Sequence, residues 1–148
     1  MSISVRPATP ADRETCIRLL IAQLLEHELS ADPVGIGGGV DLVFTPHSPA
    51  WLLVAELDGA AVGVVLANPI VSVEKYGYRL WVEEFYVVPE ARRLGVATAF
   101  LDYIVGEGWR RGVRAGELEV VPTQAAAFAL YRRHGFREVH RQRMTWDR

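Results

Sequence analysis

Apolar and polar positions follow two different periods along this chain, and the switches between them outline its elements. Ile3 to Arg6 alternates as a short strand and stops at Pro7. Thr9-Pro10-Ala11-Asp12 offers a helix start, with Thr9 as N-cap and Pro10 as the first helical residue. Cys16, Leu19, Leu20, Gln23 and Leu24 follow at helical spacing, so residues 11–29 read as one or two helices. Residues 30–50 are too rich in proline and glycine for a regular element and read as loop, with room for a short helical turn near Val40 to Phe44. Trp51 to Leu57 is an apolar strand, Asp58-Gly59 a hairpin turn, and Ala61 to Pro69 the returning strand. Ser72 to Gly77 makes a connection to a third long strand, Arg79 to Val88.

From Pro89 the period lengthens. Ala97, Leu101, Ile104 and Val105 share one face of a helix spanning Pro89 to Trp109, ended by Gly112. Gly116 to Val121 is a strand. Pro122 and Thr123 then cap a helix running to about His134, with Gly135 at its C′ position. Phe136 to Met144 alternates as a last strand. A strand and helix, a meander, then strand-helix-strand-helix-strand make an α/β mixed sheet. A doubly wound dinucleotide fold would alternate strand and helix throughout, and this chain does not.

The 148 residues suit one domain, 1–148, and half of them are hydrophobic, enough for a packed core. The net charge of -2 provides no field toward nucleic acid or anionic membrane, so neither is expected as a partner. The polar N-terminus does not read as a signal peptide, and apolar runs such as Ala60 to Ala67 are too short to span a bilayer. A single cysteine, Cys16, excludes an intrachain disulfide and a cysteine-based zinc site. It favours a cytoplasmic setting. It also lies in the first helical pattern, as packing rather than as a nucleophile. His27, His47, His134 and His140 show no metal spacing, so no metal is expected.

Two motifs carry chemistry. Arg92-Arg93-Leu94-Gly95-Val96-Ala97 falls at a strand-to-helix junction, where unpaired N–H groups bind phosphate. Gly95 has no Cβ to obstruct an anion, and Arg92 and Arg93 add positive charge. No Gly-Lys-Ser/Thr follows, so it is not a P-loop. The plain alternative is an ordinary helix start with surface arginines. The second motif is Ala127-x-x-x-Tyr131-x-x-x-Gly135-Phe136. Gln124, Ala127 and Tyr131 share a helix face, and the phenol there could donate a proton. The plain alternative is a tyrosine that fastens helix to sheet.

Together these stretches resemble the two acetyl-CoA signatures of the Gcn5-related N-acetyltransferases, and the resemblance covers nearly the whole chain. Ser4 to Asp12 is similar to that family's opening strand and helix, and Glu84-Phe85-Tyr86-Val87-Val88-Pro89 to its central strand. Arg92-x-x-Gly95-x-Ala97 matches its pyrophosphate loop with Ala for the commoner final Gly. Leu130 to Phe136 matches its second signature, and Gln124 replaces a commoner Asn. The resemblance implies a mostly antiparallel central sheet flanked by helices, with acetyl-CoA as cosubstrate. It implies that Val87 and Val88 line the pantetheine arm and that a backbone N–H of Phe85 or Val87 polarises the acetyl carbonyl. Amides from Arg93 through Leu94, Gly95, Val96 and Ala97 to Thr98 would hold the pyrophosphate. Gln124 and Ala127 would meet pantetheine, Arg133 would lie near the adenosine phosphates, and Tyr131 would protonate the departing thiolate.

Direct transfer to an amine needs a base for the ammonium proton. Strand alternation puts residues 81, 83, 85 and 87 on one face and 82, 84, 86 and 88 on the other. Family members with a carboxylate base carry it on the odd-numbered face, which favours Glu83 with Glu84 in reserve. A water chain, with both carboxylates merely solvated, is the alternative. Glu83, Glu84, Asp32 and Asp41 favour a small cationic or polyamine-like acceptor. A protein N-terminus or lysine remains open, as does a CoA-binding regulatory module without turnover. Trp81 and Tyr78 lie nearest the acceptor side. Alternation from Val139 to Trp146 suggests a homodimer through late strands.

Overall fold

The computed structural model describes all 148 residues. Five strands form one sheet in the order β1 (Ile3–Pro7), β2 (Trp51–Leu57), β3 (Ala60–Ser72), β4 (Gly77–Val87) and β5 (Val113–Leu118). Neighbours are antiparallel except β4 and β5, which run parallel through the crossover helix α3 (Val96–Arg110). Helices α1 (Arg13–Glu26) and α2 (Pro33–Val43) precede the meander, and α4 (Ala125–Arg133) follows β5. This is the α/β mixed sheet that the pattern implied, mostly antiparallel and flanked by helices as the resemblance implied. No helix is long and apolar enough to cross a membrane.

The interior strand β2 is buried along both faces, so its apolar run does not alternate with polar residues. Leu53 and Ala55 pack with Val65, Leu80 and Val82 against Phe100 and Val96 of α3. Leu52 and Val54 turn the other way, onto Cys16, Leu19, Leu20 and Val40 of α1 and α2. Cys16 is fully buried there, as its place in the helical pattern predicted. Gly63 of β3 is where α3 comes closest. A Cβ there would lie 2.8 Å from the Phe100 ring and 2.9 Å from the Tyr86 carbonyl oxygen.

Residues 30–50 are not all loop. Asp32 caps α2, its carboxylate accepting the Val34 and Gly35 N–H groups, each at 3.1 Å, and Pro33 fills the first turn. Buried Gly37 and Val40 and an Arg13–Asp41 ion pair at 2.6 Å tie α2 to α1. Capping and packing thus outweigh the cost of four glycines. The third helix begins at Val96, not Pro89. Pro89–Ala91 is a separate 3-10 turn, and the chain needs residues 92–95 to redirect itself. The fifth strand is Val113–Leu118, not Gly116 to Val121. Phe136 to Met144 forms no strand, and residues 137–148 are exposed. An alternating pattern makes a strand only where a sheet edge accepts its hydrogen bonds.

A further difference lies inside β4. Leu66 opposes Glu84 while Ala67 opposes Val82, which leaves Glu83 as an extra, unpaired residue. The bulge slips the alternation by one. Leu80, Val82, Phe85 and Val87 therefore all contact the α3-side core, while Tyr86 faces α1. The expected common face of residues 81, 83, 85 and 87 does not exist.

Candidate active site

Pairing between β4 and β5 ends at Val82 and Leu118, yet β4 continues to Val87. The two strands part there and leave a wedge. The Val88 N–H donates to the Val62 carbonyl at 2.9 Å, so the alternate residues Phe85 and Val87 aim their N–H groups away from β3 into the wedge. Those two donors are the ones the resemblance implied. Of the other backbone groups assigned to the pantetheine arm, the Val88 N–H is taken by β3. The Val87 carbonyl accepts Arg92 Nε at 2.9 Å.

Beyond β4 the chain turns through Arg92–Gly95 into α3. Arg93 has φ +63° and Gly95 has φ +96°, both left-handed. A Cβ on Gly95 would meet only Ile3 Cδ1 at 3.6 Å. The glycine is therefore required by its backbone conformation rather than by a clash. The amides of Arg93, Leu94, Gly95, Val96, Ala97 and Thr98 donate to no protein acceptor, whereas Ala99 already bonds the Gly95 carbonyl. A run of free N–H groups at the positive end of a helix dipole suits the pyrophosphate of CoA. Arg93 and Leu94 are exposed beside it. Arg92, exposed like them, reaches across to α1 instead: it pairs with Glu26 at 2.6 Å and lies over the Tyr86 ring.

Tyr131 is placed by the end of its own helix. Gly135, at φ +85°, donates to the Arg132 carbonyl, and Phe136 donates to the Tyr131 carbonyl at 3.0 Å. This Schellman ending folds the Phe136 ring back onto Tyr131, with centroids 5.6 Å apart. Phe85 meets Tyr131 edge-on from the strand at 5.9 Å and touches Phe100 of α3 at 5.5 Å. One aromatic row thus sets the phenol beside the residue whose N–H enters the wedge. Burial pushes the Tyr131 phenol up to about 12, so it remains a proton donor at neutral pH.

The two carboxylates part company at the bulge. Glu83 is exposed, accepts the Trp81 indole N–H and faces the Arg143 guanidinium, which lies over the Trp81 ring. Glu84 is half-buried under α1. Burial and the nearby Glu83 charge raise its pKa above the ordinary carboxylate value, and the Gln23 amide beside it pulls the other way. Glu84 shares an apolar cavity with Leu20, Leu24, Ile36, Val40 and Leu66. Gln23 escaped the sequence reading. It passed for one more helix-face position, although an amide among Leu19, Leu20 and Leu24 is itself a signal. It is 9% exposed and its Oε1 has no hydrogen-bond partner.

Gln124 stands at the N-terminus of α4 and meets His27 at the end of α1, its Nε2 3.1 Å from the ring Nε2. Ala127 is half-buried on the same helix face. Arg133 is exposed at the far end of α4, about 13 Å along the axis from Gln124. Asp32 and Asp41, read as attractors of a cation, are engaged as the α2 cap and as the partner of Arg13.

Known proteins place this arrangement. Residues 20–136 match the model of the acetyltransferase (GNAT) family, and the chain belongs to that family. It is 33% identical over 89 residues to the probable N-acetyltransferase camello of Xenopus tropicalis. That stretch is 60% of this chain and 39% of camello, so the chain spans about two fifths of that relative's length. A possible acetyltransferase from Clostridium difficile 630 has the same fold, with TM-score 0.85 and 20% identity over 99% of this chain and 98% of that one. A predicted acetyltransferase from Clostridium acetobutylicum, solved with acetyl-CoA, gives TM-score 0.80 at 16% identity over 97% and 96% of the two chains.

Proposed function

We propose that the protein transfers the acetyl group of acetyl-CoA directly to the nitrogen of a small primary amine. The observation that carries this reading is the wedge itself. Two inward N–H donors lie there beside a buried phenol, and a run of free helix-start amides follows the same strand, in a chain of the acetyltransferase family. Acetyl-CoA supplies an activated thioester. The amides of residues 93–98 hold its pyrophosphate, and Gln124 and Ala127 flank the pantetheine arm. The Phe85 and Val87 N–H groups stabilise the charge that develops on the acetyl oxygen.

Glu84, directly or through one water, accepts the proton of the incoming ammonium. The amine nitrogen bonds to the acetyl carbon, the carbon–sulfur bond breaks, and Tyr131 gives its proton to the leaving sulfur. Glu84 takes the base role in preference to Glu83, because Glu83 is held at the surface by Trp81 and Arg143. With Asp32 and Asp41 engaged elsewhere, a single carboxylate faces the acceptor. That favours one cationic amine over an extended polyamine.

The test is calorimetric titration with acetyl-CoA, followed by thiol release with a panel of amines. One-to-one binding with amine-dependent thiol release supports the transferase reading. Binding without release from any amine or peptide would leave a CoA-binding regulatory module.

A further inference from the structure

Cavity and carboxylate together say more about the acceptor than charge alone. The half-open space between α1, α2 and the sheet measures about 180 Å³. Leu20 and Leu24 close it from α1, Ile36 and Val40 from α2, and Leu66 from β3, with Glu84 as the lone ionisable group. A dry apolar cavity of about 150 Å³ is enough to take up benzene. At its polar end stands the Glu84 carboxylate, which the Gln23 side-chain amide also contacts. A carboxylate accepts several hydrogen bonds, and an ammonium brings both N–H donors and the counter-charge that a half-buried carboxylate needs.

We propose that the acceptor is a primary amine carrying one compact apolar group, of branched-alkyl or single-ring size, with its nitrogen at Glu84 and its apolar group in the α1–α2 cavity. This rests on the transferase reading above and specifies its substrate. A polycation does not fit, because its further ammonium groups would be buried among Leu, Ile and Val side chains without a counter-charge. The glycines of α2 gain a purpose here. Gly39 lines the cavity, and a Cβ built on it meets nothing within 4 Å. The helix keeps that volume open for a ligand.

The deciding experiment compares 3-methylbutylamine, phenethylamine, methylamine and spermidine as acceptors, in the parent protein and in Gly39→Leu. Gly39 is not at positive φ, so the substitution suits the helix, and its side chain fills the cavity. The expected result is kcat/KM at least about tenfold higher for the two apolar amines than for methylamine or spermidine. Gly39→Leu should erase that preference while acetyl-CoA binds as before. Calorimetry with desulfo-CoA present should show 3-methylbutylamine binding to the parent and not to the variant. Spermidine turned over best, or an apolar preference that survives Gly39→Leu, overturns the proposal and leaves the transferase reading standing. No thiol release from any amine overturns both.

Discussion

Glu84 and Tyr131 are both shifted by burial, and the shifts have opposite uses. Tyr131, pushed up to about 12, stays protonated and can serve only as an acid near neutral pH. Glu84, raised above the ordinary carboxylate value, is a better base than an exposed carboxylate. Activity should therefore rise with pH along a limb set by Glu84. Because the limb belongs to the enzyme, it should stay in place for acceptors whose own amine pKa values differ. Glu84→Gln should lower kcat by about 10²–10⁴ and remove the limb. A limb that tracks the acceptor's pKa would assign it to the amine instead. Stability gives a second readout. A carboxyl whose pKa is raised by folding costs stability as pH climbs from the ordinary value through the folded one. Glu84→Gln should accordingly melt higher than the parent at pH 7, with the advantage gone below pH 4.5, the ordinary value. Tyr131→Phe keeps the ring between Phe85 and Phe136 and should lower kcat by a similar factor at nearly unchanged acetyl-CoA affinity. Undiminished kcat in that variant would remove the phenol from the reaction.

At the scale of elements, two glycines set the wedge by different physics. Gly95 holds a left-handed turn, and an L-residue there costs about 1–2 kcal/mol. If the turn relaxes to avoid that strain, the free amides no longer converge. Gly95→Ala should weaken acetyl-CoA about 5–30-fold in calorimetry, and unchanged affinity would dissociate the turn from the cofactor. Gly63 instead gives room for α3. Gly63→Ala should cost about 1–3 kcal/mol in denaturant unfolding, because one of its new neighbours is a backbone oxygen that cannot swing away.

The Gly95 turn and Gly135-Phe136 were legible because each is a local device, complete within a few residues. The α2 helix was not, since its glycines argue against it and the Asp32-Pro33 start is outweighed by them unless the distant contacts are added: the face of α1 and the Arg13–Asp41 pair. The bulge at Glu83 leaves no mark in a run of β-forming residues. Missing it inverted the faces of everything after it, Glu84 included. The alternating tail misled for the opposite reason, because its pattern is strand-like and its residues find no edge.

Across the whole molecule, the end of α1 joins what the sequence keeps apart. Glu26 holds Arg92 at the phosphate turn, His27 holds Gln124 at the start of α4, and Gln23 one turn earlier lies beside Glu84. Both elements proposed to grip the cofactor are thereby fastened to the helix that walls the proposed acceptor cavity. Cofactor binding should be felt there as well as at its own contacts. In hydrogen exchange, acetyl-CoA should slow the amides of residues 93–98, which have no acceptor without it, and also the last turn of α1. The paired strands β1 and β2 should gain only the general protection that follows from higher global stability. That global gain is set by mass action: ligand at about 100 times Kd adds about 2.7 kcal/mol, worth roughly 5–10 °C in Tm for a chain of this size. The local part distinguishes the two ideas. If residues 93–98 gain protection and α1 does not, the turn binds the cofactor but the α1 contacts are only static braces. If protection is even across the sheet and absent from 93–98, the pyrophosphate lies elsewhere and the reading of the Gly95 turn fails. His27→Ala supplies the control. It cuts the link to Gln124 without touching the turn, and should leave protection at 93–98 intact while reducing it at the end of α1.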